Sequence, residues 1–378
     1  MIDYNKIPSP CYVVDEGRLN RNLRLISSVA KQAGIDILIS FKAFAGWSLF
    51  PLIKKYTAGA SASSLNEARL CFEEMGMPAH TYSPVFKEDE FDGIISYSSH
   101  ITFNSISQFQ RFYPVIKQSG RKISSGLRIN PEYSEIEQGL YNPCSPGSRL
   151  GITSDAVSGG LPEGVEGLHF HVLFESDSIA LVNMLDVVEK KFGHLFPGLK
   201  WLNMGGGLLI TGRDFDTGHM VKVLRDFRQR TGLQIILEPG SAFLWETGEL
   251  VTTVQDVVVN QGVKTAIIDA SFTAHMPDCL EMPYKPAIFG AGEPGDHQHL
   301  YRIGGNSCLS GDYMGDWSFR NGLKRGDRIV FLDMIHYTMV KSTMFNGVSH
   351  PSLALWKEDG TLLMLREFGY EDYRSRLS

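Results

Sequence analysis

No Cys-x-x-Cys pair occurs in this chain, and its five cysteines (Cys11, Cys71, Cys144, Cys279 and Cys308) are an odd number scattered along its length. Neither a disulfide framework nor a structural zinc site is therefore expected. No apolar stretch approaches the ~20 residues that span a bilayer, and the opening Met1-Ile-Asp-Tyr-Asn-Lys lacks an apolar signal-peptide core. Both absences lead us to expect a cytoplasmic protein with no membrane partner. Long runs of one charge sign are missing as well. The formal net charge of −6 is spread along the chain, which argues against a nucleic-acid partner. There is no internal repeat of solenoid period and no low-complexity tract.

What is present is an ordinary globular composition, 43% hydrophobic and 21% charged, in 378 residues. That length exceeds the roughly 250–300 residues at which one core stops growing, so two domains are expected. The first two thirds repeat one pattern: a short β-branched run, a polar turn and an amphipathic helical stretch. Strands are predicted at 37–43, 59–64, 80–84, 100–105, 126–131, 167–173, 201–208 and 234–240, with helices such as 64–75 and 178–191 between them. This alternation predicts an α/β fold of parallel βαβ units, and eight units in this length predict a (β/α)8 barrel over 15–245. A Pro-, Gly- and Ser-rich loop at 130–151 interrupts the rhythm, and loops of that length at a barrel face are usually functional. After Trp245 the texture becomes strand-like, at 250–260, 265–270, 300–303, 327–333 and 353–368. A mainly antiparallel β domain is expected there, formed by 246–378 with 1–14, the opening strand at 8–14 pairing into it.

Barrel active sites are built at the C-terminal ends of the strands. The first strand runs into Ser40-Phe41-Lys42-Ala43-Phe44. A lysine between two phenylalanines is partly desolvated, which lowers its pKa from about 10.4 and makes the amine nucleophilic; the plain alternative is a solvated lysine at a loop start. The seventh strand runs into Gly205-Gly206-Gly207, whose backbone N–H groups can approach an anion where barrels often hold phosphate, although such a run equally marks a tight turn. The eighth runs into Glu238-Pro239-Gly240, placing a carboxylate at the mouth that could hold a pyridine nitrogen protonated or could serve as a framework ion. The sixth reads His169-Phe170-His171, with both imidazoles on one face. They suit either a ring stacked on a cofactor or a metal pair activating water in a barrel hydrolase. In the β domain, Gly304 to Asp312 combines a glycine turn, the Cys308 thiol and the Asp312 carboxylate; a thiol can act as a general acid. Tyr337 follows a strand end, where its hydroxyl could donate to a phosphate or its ring could simply pack.

The order of these signals resembles one family: the alanine-racemase-like, fold type III pyridoxal-phosphate decarboxylases, which include the ornithine and diaminopimelate decarboxylases. The resemblance covers nearly the whole chain. It implies pyridoxal 5'-phosphate as cofactor, Lys42 as its Schiff-base lysine and His171 as the ring-stacking residue. It further implies that Gly205, Gly206, Gly207 and Tyr337 hold the phosphate and that Glu238 pairs with the pyridinium nitrogen. Cys308 would reprotonate the decarboxylated carbon and Asp312 would contact the distal amine, both across a homodimer interface. The racemases of this fold place an arginine where Glu238 stands, so the glutamate implies decarboxylation. Three departures from the ornithine and diaminopimelate patterns stand out: Phe44 after Lys42-Ala43, Ser241 after Glu238-Pro239-Gly240, and Val172-Leu173 after His171. Ser241 stands where those enzymes carry a phosphate-binding arginine, so Arg149 and Tyr337 become candidates to offset that charge, Arg149 being also a candidate in the substrate site. The stretches FKAFAGWSLFPLI, GLHFHVLFE, MPDCLEMPY and HYTMVKSTMFNG are similar to the carboxynorspermidine-type branch. That likeness implies a small-molecule partner, a carboxylated polyamine, either carboxynorspermidine or carboxyspermidine. Asp312, Asp278 and Glu281 are candidate partners for its cationic arm. Diaminopimelate or ornithine is the alternative substrate within the fold, and the metal-dependent hydrolase is the alternative outside it.

Overall fold

The structure is a computed structural model that describes residues 2–136, 139 and 141–378. The chain forms two compact units: Asn22–Phe243, and the residues up to Arg21 together with Leu244–Ser378. Counting from β1 (Cys11–Asp15), which belongs to the second of these, the strands of the first unit are β2 (Asp36–Ser40), β3 (Gly59–Ala62), β4 (Ala79–Tyr82), β5 (Ser98–Phe103), β6 (Ser124–Arg128), β7 (Gly167–His169), β8 (Trp201–Asn203) and β9 (Gln234–Leu237). They pair in sequence order, all parallel, and β9 closes on β2. The expected (β/α)8 barrel is therefore present.

Each strand stops short of its predicted C-terminal end. Apolar residues continue past the ladder at Phe41, Phe170 and Met204, but they are buried by loops that fold back onto the core and form no strand there. Helices return the chain between strands, and several start at side-chain caps. Asp177 accepts the Ile179 and Ala180 N–H groups at the head of the helix Ser178–Phe192, and Ser105 caps Ile106–Ser119. The predicted helix at 64–75 begins as an α-helix (Leu65–Leu70) and widens into a π-turn, Cys71–Met75. Between β6 and β7 a long loop replaces the helix. Of the loop predicted there, residues 137, 138 and 140 lie outside those described.

One residue fixes much of the barrel interior. The Trp201 ring lies over β6 and β7, where a Cβ at Gly126 or Gly167 would come within 2.3 or 2.0 Å of it. Its Nε1–H donates to Ser124 Oγ at 2.8 Å. A large side chain on one strand is thus matched by two absent ones on its neighbours.

In the other unit, β1 pairs antiparallel with β10 (Gly248–Asn260) and parallel with β16 (Ser352–Trp356), as expected of an opening strand that joins the second domain. The remaining strands are β11 (Val263–Ile268), β12 (Ala291–Gly292), β13 (His299–Gly304), β14 (Tyr313–Phe319), β15 (Arg328–Phe331) and β17 (Leu362–Arg366). The sheet is mostly antiparallel, with β11–β13 as its second parallel pair. The sequence reading missed β14, whose Gly315 and Asp316 break the apolar alternation. Residues 16–21 group with this sheet because Arg18 forms ion pairs with Asp15 and with buried Glu249. Among the described residues no helix is long and apolar enough to cross a membrane.

Gly167→Ala forces a methyl group into the Trp201 ring and should lower unfolding free energy by about 1–3 kcal/mol, the range for overpacking. Denaturant unfolding of the variant, alone and combined with Trp201→Leu, checks this: the penalty should shrink in the double variant, because the clash has gone.

Candidate active site

The chemistry begins where the barrel strands end. Lys42 stands two residues past β2, His171 two past β7, Gly205 two past β8 and Glu238 one past β9. Phe41 and Phe44 are buried on either side of Lys42, and Phe41 stacks on Phe50 at 4.8 Å, so the backbone carrying the lysine is anchored in the core. The Lys42 side chain reaches solvent at the mouth, but the protein packed around it desolvates the ammonium and brings its pKa down to about 8. Glu238 opposes that shift and Arg128 adds to it.

Lys42 Nζ lies 2.9 Å from His171 Nε2, and His171 Nδ1 accepts the Gly206 N–H at 2.8 Å. Burial, with Lys42 and Arg128 nearby, holds His171 well below the usual imidazole range, so the ring is neutral. Its Nδ1 is an acceptor and its proton therefore sits on Nε2. Nε2–H can bond Lys42 only through the lone pair of a neutral amine. The 2.9 Å contact therefore belongs to the free-base form of Lys42, which desolvation makes accessible and which predominates only above a pH of about 8.

Glu238 is held from several strands. Asn203, 3% exposed at the end of β8, donates from Nδ2 to Oε1 at 2.6 Å. The Ser61 side chain also favours the ionised carboxylate, and Oε2 faces His169 Nε2 at 3.9 Å. Burial raises the Glu238 pKa, against the opposing pull of Asn203 and Lys42. His169 is pushed far down by burial, and its Nδ1 has no hydrogen-bond partner. Arg128, at the end of β6 and 4% exposed, donates to the His171 carbonyl at 3.2 Å and lies over the Tyr82 ring at 4.8 Å. Tyr82 in turn donates to Asn104, whose amide nitrogen donates to the Arg149 carbonyl and so ties the long loop to the barrel. The Arg149 side chain itself is exposed.

The three glycines after β8 are required by contact. A Cβ at Gly205 would lie 2.6 Å from His171 Nδ1, at Gly206 2.4 Å from the Glu238 carbonyl oxygen, and at Gly207 1.9 Å from that of Leu173. Gly205 and Gly207 also have φ of +67° and +100°. The expected phosphate cradle is narrower than three donors here, because the Gly205 N–H donates to Asn203 Oδ1 and the Gly206 N–H to His171.

The other predicted residues lie in the sheet unit. Cys308 is exposed, its N–H donating to Asn346 Oδ1 at 2.8 Å. Asp312 is only 5% exposed; its carboxylate accepts from Thr273 and from the Ser307 N–H, which makes it a brace for its own loop. Asp278 and Glu281, expected to await a polyamine, both pair with Lys341, Asp278 at 2.7 Å. Tyr337 holds a φ of +55°, a conformation that non-glycine residues keep mainly at functional positions.

Sequence reasoning missed Asn203, Arg128, Ser61 and Tyr82. The available signal was positional: β6, β7 and β8 end on Arg128, His169 and Asn203, polar side chains at the level where barrels build their sites. The metal-pair reading of His169 and His171 loses its footing, since both His171 nitrogens are engaged by Gly206 and Lys42. Among the described residues no three His, Cys, Asp or Glu side chains are grouped to hold a metal ion. A desolvated amine, a buried carboxylate one residue beyond a strand and a turn closed to any Cβ fit pyridoxal phosphate, which Lys42, His171, Gly207 and Glu238 would hold.

Comparisons with known proteins agree with that fit. The family described as pyridoxal-dependent decarboxylase, C-terminal sheet domain, matches residues 11–335. The chain is 46% identical over 374 residues to the carboxyaminopropylagmatine decarboxylase of Synechocystis sp., covering 99% of this chain and 96% of that one. It is 41% identical over 384 residues to the carboxynorspermidine/carboxyspermidine decarboxylase of Campylobacter jejuni, covering 99% of each. The crystal structure of carboxynorspermidine decarboxylase complexed with norspermidine from Campylobacter jejuni aligns with a TM-score of 0.90 at 40% identity, over 98% of this chain and 100% of that one.

In cofactor-free protein, acylation of Lys42 by an amine reagent should rise with pH through a midpoint near 8, rather than the roughly 10.4 of a free lysine. Peptide mass spectrometry after timed labelling reads this directly. A midpoint close to that of the exposed lysines would remove the desolvation argument.

Proposed function

The chain belongs to the pyridoxal-dependent decarboxylases, and from that membership we propose that it releases CO2 from carboxynorspermidine or carboxyspermidine to leave norspermidine or spermidine. The observation that carries this reading is the full-length likeness, at 41% identity and a TM-score of 0.90, to relatives named for that reaction, one of them complexed with norspermidine. The 46% identity to a carboxyaminopropylagmatine decarboxylase favours a second reading, in which the arm ends in a guanidinium instead of an ammonium. Both readings share an amino-acid head joined to a cationic arm.

Pyridoxal phosphate, when bound, supplies an electron sink for the pair released as the carboxylate leaves. The chain's own groups then have separable roles. Lys42 presents at the barrel mouth an amine that gives up its proton more readily than a free lysine and can then act as a nucleophile. His171 is fixed by Gly206 in one tautomer and presents a flat neutral ring. Glu238, tied to Asn203 and desolvated, holds or releases a proton where a pyridine nitrogen would pair with it. Cys308 is the acid that returns a proton from Sγ to the carbon, supported by its exposed thiol. In this reading it acts across a homodimer interface, with Tyr337 and Arg149 offsetting phosphate charge.

CO2 release should be assayed with carboxynorspermidine, carboxyspermidine, carboxyaminopropylagmatine, diaminopimelate and ornithine side by side. The carboxylated polyamines should exceed the last two by at least ~100-fold in kcat/KM, because a site built for a charged arm leaves its polar groups unpaired with shorter substrates. Lys42→Ala should abolish turnover with the fold intact. Glu238→Gln should lower kcat by about 10²-fold with a smaller change in KM, since an electrostatic contribution acts mainly in the transition state. Equal turnover of diaminopimelate would sink the substrate assignment.

A further inference from the structure

Asn203 makes two hydrogen bonds whose polarity leaves no freedom. The Gly205 backbone N–H can only donate, so the atom it meets at 2.9 Å must be Oδ1. The amide nitrogen therefore faces Glu238 Oε1 at 2.6 Å, and it too can only donate. Oε1 is thereby fixed as an acceptor. Any proton carried by Glu238 resides on Oε2, the oxygen turned toward His169 at 3.9 Å. The same amide joins the turn in which no Cβ fits to the carboxylate one residue beyond β9. The other groups acting on the carboxylate are Ser61 from β3, Arg128 from β6, His169 from β7 and Lys42 beyond β2.

We infer that Asn203 is a positioning residue for the decarboxylation: one side chain sets both the proton-bearing oxygen of Glu238 and the placement of the Gly205 turn. The inference rests on the role given to Glu238 above. Its chemical content is that position 203 must supply a neutral donor. An aspartate there keeps the volume and keeps the acceptor for Gly205, but it sets a second carboxylate at hydrogen-bond distance from Oε1. The two would then share a proton, and Oε1 would lose its fixed role.

The test uses the cofactor-loaded enzyme and reads cofactor Kd, the pH midpoint of the bound cofactor's absorbance, and kcat against KM. Asn203→Asp should raise the Kd about tenfold, the effect of one lost hydrogen bond to a charged group. It should move the absorbance midpoint upward by about one pH unit or more, and lower kcat at least ~10-fold with KM changed less than about threefold. Asn203→Ala removes both bonds without adding charge, so it should weaken the cofactor similarly but move the midpoint upward by less than Asn203→Asp does. Asn203→Asp combined with Glu238→Gln reverses donor and acceptor across the pair, and its cofactor Kd should return to within about threefold of Glu238→Gln alone. If Glu238→Gln leaves kcat unchanged, the role of Glu238 falls. If Glu238→Gln lowers kcat while Asn203→Asp keeps the parental Kd and midpoint, the role of Asn203 alone is overturned. Should Asn203→Asp not fold, a double variant no tighter than Asn203→Ala overturns the inference as well.

Discussion

The barrel mouth depends on a turn that has no room for a side chain. After β8 the backbone passes so close to the His171 loop, the Glu238 carbonyl and the Leu173 carbonyl that three successive residues must be glycine. Because nothing intervenes, the loops that follow β7, β8 and β9 are held at van der Waals distance from one another, and hydrogen bonds can run directly between them. The Gly206 N–H fixes the His171 tautomer, and the Gly205 N–H orients Asn203, which orients Glu238. The usual account of a glycine-rich turn is that it exposes donors to an anion. Here that account covers only part of the turn, since two of the three donors already organise the site's own side chains.

Burial acts in one direction on every ionisable group at this level. It lowers Lys42, His169 and His171 and raises Glu238, so each is moved toward its uncharged form. A site assembled from an amine of lowered pKa, neutral imidazoles and a reluctant carboxylate holds protons that transfer at small cost in either direction. Arg128 is the fixed cation of the layer. It depresses Lys42 and both histidines and is itself held by the His171 carbonyl and the Tyr82 ring. The electrostatic character of the mouth is therefore set by residues from β6 and β4 as much as by those that touch the reacting atoms.

The eight strands were legible because each is a short apolar run bounded by turn residues at regular spacing. Their ends were not, because Phe41, Phe170 and Met204 continue the apolar pattern while packing from loops. Lys42, His171, Gly205 and Glu238 were found from residue type plus order along the chain, and the structure gathers them at the barrel mouth. Asn203 and Arg128 were passed over because a polar residue inside an apparent strand reads as a face change, and only closure of the barrel turns it into a site wall. The acidic residues of the sheet unit were read from charge alone. Asp312, Asp278 and Glu281 have the right charge for a polyamine, but their partners Thr273 and Lys341 lie 39, 63 and 60 positions away, a pairing no local pattern reveals.

That pairing bears on how a cationic arm is recognised. Lys341 already places a primary ammonium between two carboxylates, with hydrogen bonds to both. An ammonium arriving from outside gains little from such a pair unless it displaces the lysine, because both carboxylates are already engaged. A long arm bearing several separated charges is better served by many weak contacts along its length, since each desolvates little. The head, by contrast, must be held at one carbon to within a fraction of an ångström for its carboxylate to leave. Beneath Lys42 the barrel end is buried and linked by hydrogen bonds from Asn203 to Glu238 and from Gly206 to His171, whereas in the sheet unit Cys308 is exposed and Asp278 and Glu281 are already paired. The bonds among Lys42, His171, Asn203 and Glu238 lie wholly within the barrel unit, so substitutions at Asp278, Glu281 or Lys341 leave them untouched.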